Sequence, residues 1–260
     1  MSSSSELFAL QGRVALVTGA TGGLGRAIVE ALAAHGARVV ASDLDADACR
    51  QAATQWRAAG LDVQDRAADV SDTGSLEGLT TGVRRDFPSL DILVHCAGVQ
   101  GPAGPLCATT EADWARVMDI NLRSALTLSK GLLPAMARSG GGSVVFLASI
   151  AGLRGNRAIG LYGLSKAALS QMARNLAVEW GPSGVRVNAI APGLIRTPLA
   201  QGLLADPAFM ERRMAMTPLR RVGEPSEVAG VAVMLASRAG AFITGQTLVV
   251  DGGTLVTDGS

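Results

Sequence analysis

The chain has 260 residues, 48% of them hydrophobic and 17% charged, with a formal net charge of +1. That length suits one open α/β domain, and the near-neutral balance excludes the broad basic field that holds nucleic acid or an anionic membrane. No apolar run approaches the roughly 18 residues a membrane span requires, and the scattered cysteines Cys49, Cys96 and Cys107 show no metal-ligand spacing.

The N-terminal MSSSSELFAL has no basic region and no apolar stretch of signal-peptide length. Residues 1–10 are expected as a flexible tail and residues 11–260 as one domain. An odd number of scattered cysteines points to a reducing compartment, and a cytoplasmic location is expected. RVALVTG (13–19) then reads as a buried strand, and LGRAIVEALAAHG (24–36) as a helix closed by Gly36. ARVVASD (37–43) is the second strand, with a helix over about 45 to 59. LDVQDRAAD (61–69) is a weaker third strand, followed by a helix from about 72 to 86. DILVHCAG (91–98) and GSVVFLAS (142–149) are the fourth and fifth strands, separated by one long helical pattern over about 111 to 138. A helix to about Trp180, the strand VRVNAIAPG (185–193), a helix near 226–237 and the strand QTLVVDGG (246–253) follow. Strands apolar on both faces and alternating with helices specify a doubly wound parallel sheet with helices on both sides.

The first strand runs straight into TGATGGLG (18–25) and a helix. Gly19, Gly23 and Gly25 permit a tight turn and close approach of backbone to a pyrophosphate, with Thr21, Gly22 and Leu24 completing the loop. As an isolated motif this is a turn, but its place between first strand and first helix points to a dinucleotide. Asp43, with Leu44 beside it, follows the second strand, 18 residues beyond Gly25. A carboxylate there accepts hydrogen bonds from the adenosine ribose hydroxyls and repels a 2′-phosphate. NAD is therefore expected ahead of NADP. The competing reading is that Asp43 or Asp45 caps the next helix.

Tyr162 is the only tyrosine of the chain, and Lys166 is one of two lysines. Four residues apart on a helix, they face one site. A nearby ammonium favours the phenolate and would bring Tyr162 toward working pH. Ser149 ends the fifth strand, where such sheets present groups to ligand. The plainer alternative is a tyrosine packed at a helix surface beside an exposed lysine.

TGATGGLG, Asp69–Val70, Ala97–Gly98, MDINLRS, Ser149, YGLSK and APGLIRTP together resemble the short-chain dehydrogenase/reductase family, over about residues 11 to 253. The resemblance implies Tyr162 as general acid/base, and Lys166 as its modulator and a ligand of the nicotinamide ribose. Ser149 would stabilise the substrate oxygen, and Asn121 would hold a water in a proton relay. It also places Asp69 and Val70 by the adenine and Gly98 by its ribose, with Cys96 and Ala97 among the cofactor contacts. Pro192, Gly193, Ile195 and Thr197 would receive the nicotinamide end, and a homotetramer would pack through helices 111–138 and 160–180. His95 and Cys96 depart from the two asparagines common at these positions, which puts the contact at 96 in question. His95 and His35 read as structural.

The implied reaction is reversible hydride transfer between NAD(H) and a secondary alcohol or ketone. A sugar acid, polyol or other small hydroxy compound is one substrate class, and a 3-oxoacyl thioester is the alternative. An NAD-binding sensor with little turnover stays open as another class, although such a protein does not need Ser149. The substrate should be framed by segments 99–107 and 150–160 and by a lid over 198–214. Arg154 and Arg157 either attract a substrate anion or are solvated or at a subunit contact.

Overall fold

A computed structural model describes residues 4–257. Seven strands, β1 Val14–Thr18, β2 Arg38–Ser42, β3 Val63–Asp65, β4 Ile92–His95, β5 Gly142–Leu147, β6 Val185–Pro192 and β7 Thr247–Val250, form one sheet. Its order is β3-β2-β1-β4-β5-β6-β7, with every pair parallel. The helices are α1 Ser4–Leu7, α2 Gly23–Ala34, α3 Ala46–Ala58, α4 Thr73–Asp86, α5 Glu111–Met118, α6 Ser124–Arg138, α7 Gly160–Trp180, α8 Gln201–Leu204, α9 Pro207–Ala215 and α10 Pro225–Ala236.

The strands are runs of Val, Ile, Leu and Ala because both faces are covered. On one face Ile28, Val29 and Leu32 of α2 and Val228, Ala232 and Val233 of α10 pack with Val17, Val39 and Val94. On the other, Leu76 and Leu79 of α4, Leu128 and Leu132 of α6 and Leu169 of α7 pack with Leu16, Leu93 and Phe146. After β1 the chain crosses one way to β2, and after β3 it returns to place β4 on the other side of β1. The C-terminal ends of β1 and β4 therefore diverge into a crevice at the switch in strand order.

Three expectations change. Leu10, expected in the flexible tail, is buried and its N–H donates to the His35 carbonyl at 2.9 Å, after the one-turn helix α1; residues 1–3 of that tail lie outside the described residues. The third strand keeps only Val63–Asp65 of the run 61–69, because it is an edge strand pairing with β2 alone. The long helix over 111–138 is interrupted by a π-helical turn, Asp119–Arg123. Such turns carry an inserted residue that redirects side chains and are frequent at functional sites. Asn121 sits in this one, fully buried.

Candidate active site

The crevice at the switch point is a cleft of about 490 Å³. Its wall contains Gly19, Thr21, Gly22, Gly23, Leu24, Gly25, Asp43, Leu44, Asp69, Val70, Cys96, Ala97, Gly98 and Thr197. Two of the glycines are dictated by sterics. A Cβ on Gly25 would lie 1.9 Å from the Gly19 carbonyl oxygen, and Gly19 itself has φ +68 with the Ala97 nitrogen 2.7 Å from its missing Cβ. Helix α2 starts at an N-cap, Gly22, with no side chain to cap its first-turn amides, so the positive end of the helix opens into the cleft.

Asp43 lies just past the end of β2 and holds this turn. Its Oδ2 accepts from Thr21 N–H at 2.9 Å and from Thr21 Oγ1 at 2.6 Å, and its Oδ1 accepts from Leu44 N–H at 2.8 Å. The cap of α3 is Asp45, which accepts from the N–H groups of Asp47 and Ala48. Of the two carboxylates the sequence offered as the cap, Asp45 takes that place and Asp43 instead holds the glycine-rich turn. A cradle closed to a Cβ at Gly19 and Gly25, an uncapped helix end and a carboxylate at the cleft wall fit the dinucleotide the motif implies.

A second cleft adjoins the first and shares Leu24, Thr197 and Leu199 with it. Ser149, Tyr162, Pro192, Gly193 and Ile195 line it, with Arg154, Asn156, Leu203 and Arg213 opposite. Arg157 is exposed and lines neither cleft, so the two arginines on this loop have different surroundings. Segment 198–214 contributes Leu199, Ala200, Leu203 and Arg213 to the wall.

Tyr162 and Lys166 share a face of α7, with the Lys166 Nζ 5.5 Å from the centre of the tyrosine ring. The lysine is buried and its Nζ donates to the Leu147 carbonyl at 2.7 Å. Burial pushes its pKa down to about 8. Burial also pushes Tyr162 up to about 12, against a hydrogen bond from Ser149 that favours the phenolate. The expected lowering of Tyr162 by the ammonium is therefore reversed here, because desolvation of the phenolate outweighs its neighbours.

The side-chain amide of Asn121 is committed to protein partners. Its Nδ2 donates to the Val99 carbonyl and to Ser165 Oγ, both at 2.9 Å, and its Oδ1 accepts from Val99 N–H at 2.8 Å. The amide thus clamps the segment after β4 to α7. It remains next to the lysine: a Cβ on Gly98 would meet Lys166 Nζ at 3.1 Å and Asn121 Oδ1 at 3.2 Å.

His95 is buried in a directional chain of hydrogen bonds. Ser124 Oγ donates its one proton to the Ile120 carbonyl at 2.5 Å, so it accepts from His95 Nε2–H at 3.0 Å. Nδ1 is then the acceptor for Thr18 Oγ1 at 2.8 Å. The ring ties β1 to the start of α6 as a neutral imidazole, with burial and then the Lys166 charge pushing its pKa down to about 3. Cys96 is half-buried in the first cleft, and burial of its thiol raises its pKa to about 12, which makes it a poor nucleophile.

Ala68 and Ile120 line the first cleft with no sequence signal of their own, whereas Val99 and Arg213 fall within the expected framing segments 99–107 and 198–214 and line the first and the second cleft.

Residues 19–254 match the family described as Enoyl-(Acyl carrier protein) reductase. A tropinone reductase homolog of Arabidopsis thaliana is 42% identical over 250 residues, covering 96% of this chain and 81% of the relative. Among solved structures, a gluconate 5-dehydrogenase from Burkholderia cenocepacia in complex with NADP and tartrate superposes with a TM-score of 0.94 at 29% identity, over 98% of this chain and 100% of the other. A 7α-hydroxysteroid dehydrogenase complexed with NADH and 7-oxo glycochenodeoxycholic acid gives 0.92 at 34% identity, over 97% and 98%. With these relatives spanning nearly its whole length and the glycine-rich turn and Ser149, Tyr162 and Lys166 in place, the chain belongs to the short-chain dehydrogenase/reductase family of nicotinamide-dependent oxidoreductases.

Proposed function

We propose that the protein interconverts a secondary alcohol and a ketone with NAD(H), on a sugar acid, polyol or other small hydroxy compound. The observation that carries this reading is Ser149 and Tyr162 together on the wall of the second cleft, with the Lys166 ammonium 5.5 Å from the centre of the tyrosine ring. The substrate oxygen is held by Ser149 Oγ and Tyr162 Oη. In reduction the neutral phenol, the form that burial favours, gives its proton to the carbonyl oxygen; in oxidation the proton returns to Tyr162, which must first be deprotonated against that burial. Lys166, kept buried by Leu147, stabilises the phenolate, and Asn121 fixes the lysine's surroundings. When bound, the nicotinamide supplies the hydride chemistry at the substrate carbon. The turn from Gly19 to Gly25 would hold its pyrophosphate, with Asp43 and Leu44 at the adenosine ribose and Asp69, Val70, Cys96, Ala97 and Gly98 around the adenosine. Pro192, Gly193, Ile195, Thr197, Tyr162 and Lys166 would hold the nicotinamide half.

Asp43 supports NAD over NADP, since a carboxylate already holding the turn repels a 2′-phosphate. The relatives named above include an NADP complex and an NADH complex, so the preference rests on this side chain. The second reading, reduction of a 3-oxoacyl thioester, draws on the acyl-carrier description of the matching family. A homotetramer is proposed from exposed apolar residues on the expected packing helices: Trp114 on α5, Leu126 on α6, and Leu164 and Val178 on α7. Segment 198–214 is proposed as the substrate lid, and a cytoplasmic location follows from the sequence expectation.

The test is nicotinamide absorbance during incubation with NAD+ or NADP+ and a panel of sugar acids, polyols, hydroxy acids and secondary alcohols. NADPH with a 3-oxoacyl thioester runs beside it. Turnover of a panel alcohol with NAD+ that disappears in Tyr162→Phe supports the proposal. Full activity in that variant, or turnover of the thioester alone, sinks it.

A further inference from the structure

The cleft beside Ser149 and Tyr162 holds two guanidiniums, Arg154 from the segment after β5 and Arg213 from α9. Among the described residues neither side chain makes a hydrogen bond or ion pair, and Arg213 lies over the Phe209 ring at 5.4 Å from its centre. The rest of that wall is largely aliphatic, with Ile150, Ile159, Leu194 and Leu203. Half-buried charges normally find a partner, because desolvation without one is costly. Here burial and the charge of Arg154 both lower the proton affinity of Arg213, and Asp251 is the carboxylate acting in the opposite sense. Both Asp251 oxygens are already held, Oδ1 by Gly253 N–H and Oδ2 by Leu255 N–H, each at 2.8 Å.

We infer that Arg154 and Arg213 together receive a carboxylate of the substrate, so that the substrate is a hydroxy or oxo carboxylic acid with a mainly apolar body. This rests on the oxidoreductase reading and narrows it. Asp251, outside this cleft, offsets part of the two guanidinium charges, which favours a monoanion over a phosphate dianion. The planar fork of arginine suits the two carboxylate oxygens. Because Arg213 belongs to α9, the same contact draws segment 198–214 toward the loop after β5, and acid binding and lid position become one event.

The experiment has two arms, run on the full chain and on Arg213→Gln, Arg154→Gln and the exposed control Arg157→Gln. The first arm needs no turnover: thermal unfolding is followed with sodium butyrate, its neutral isostere butyramide, and inorganic phosphate. Butyrate is expected to raise the midpoint where butyramide does not, and the rise is expected to vanish in both cleft variants and persist in the control. The second arm compares kcat/KM for a hydroxy acid and its methyl ester. Losing one charged hydrogen-bond donor is expected to reduce the acid-to-ester ratio by about 10- to 100-fold, mostly through KM. No protection by butyrate, stronger protection by phosphate, or an equal fall for acid and ester would overturn the assignment. If butyrate protects in an Arg213-dependent way while no alcohol is oxidised, the carboxylate site stands and the oxidoreductase reading fails.

Discussion

His95 makes the stability of this fold depend on pH in a window that can be stated in advance. Burial lowers its pKa from 6.5 to about 3. An unfolded histidine takes up a proton near pH 6.5, whereas the folded one stays neutral until about pH 3. The unfolded state therefore binds more protons between these values, and stability falls as the pH drops. The contribution is complete above pH 6.5 and is lost at about 1.4 kcal/mol per unit on the way to pH 3. Between pH 7 and pH 5 the loss is about 2 kcal/mol, or about 4 to 8 °C in unfolding midpoint for a chain of this size. The mechanism is specific: protonating Nδ1 removes the acceptor for Thr18 Oγ1 and puts a charge beside the Lys166 ammonium. His95→Asn replaces the imidazole with an amide that does not titrate. Thermal unfolding of both proteins at pH 7 and pH 5, at equal protein concentration, isolates the effect, because every other titrating group is shared. The variant is expected to lose about 2 kcal/mol less over that interval, whatever its stability at pH 7. Parallel pH dependences would refute the buried neutral histidine.

Tyr162→Phe removes the proton carrier and should lower kcat by about 10²- to 10⁴-fold while NADH titration by fluorescence shows little change in affinity; weakened cofactor binding of the same size would contradict the division of roles. Because Tyr162 is the only tyrosine, the near-ultraviolet tyrosinate signal reports it alone. With burial holding it near pH 12, the free protein should show no tyrosinate up to pH 10, where an exposed tyrosine is half ionised, and a signal by pH 8 would refute the raised value. Asp43→Ala removes the acceptor of three hydrogen bonds and the repulsion toward a 2′-phosphate, so the NAD+-to-NADP+ ratio of kcat/KM should fall by at least about tenfold; an unchanged ratio would remove the basis for NAD preference. Gly25→Ala forces a Cβ to 1.9 Å from the Gly19 oxygen and should lower both unfolding midpoint and NADH affinity, whereas Gly22→Ala, at 3.4 Å from the same atom, should fold normally. Equal midpoints for the two would show that the turn yields.

What the sequence discloses about this site depends on how local the cause is. The turn from Gly19 to Gly25 is legible because steric closure needs glycine at fixed offsets, and strand, turn and helix are contiguous. Tyr162 and Lys166 are legible because helical geometry alone brings positions four apart onto one face. The sheet is legible because continuous apolar strands need two covered faces. Asn121 has no such local signature: its value comes from a π-helical turn, and nothing in MDINLRS distinguishes that turn from the regular helix expected over 111–138. Its clamp on Val99 and Ser165 spans 22 and 44 residues of sequence. His95 shows the same limit from the other side. A histidine in a run of Ile, Leu and Val reads as a strand residue, and that is correct as far as it goes. Its partners, Thr18 and Ser124, lie 77 and 29 positions away, so its tautomer and its pH dependence emerge only when β1, β4 and the start of α6 meet. Arg213 is furthest from legibility, since one arginine among MERRM carries no pattern and becomes distinctive only opposite Arg154. The glycine-rich turn and the Tyr162–Lys166 pair are thus encoded at short range, where backbone geometry constrains residue type. The proposed carboxylate contact, by contrast, depends on Arg154 and Arg213, which only the fold brings to one cleft.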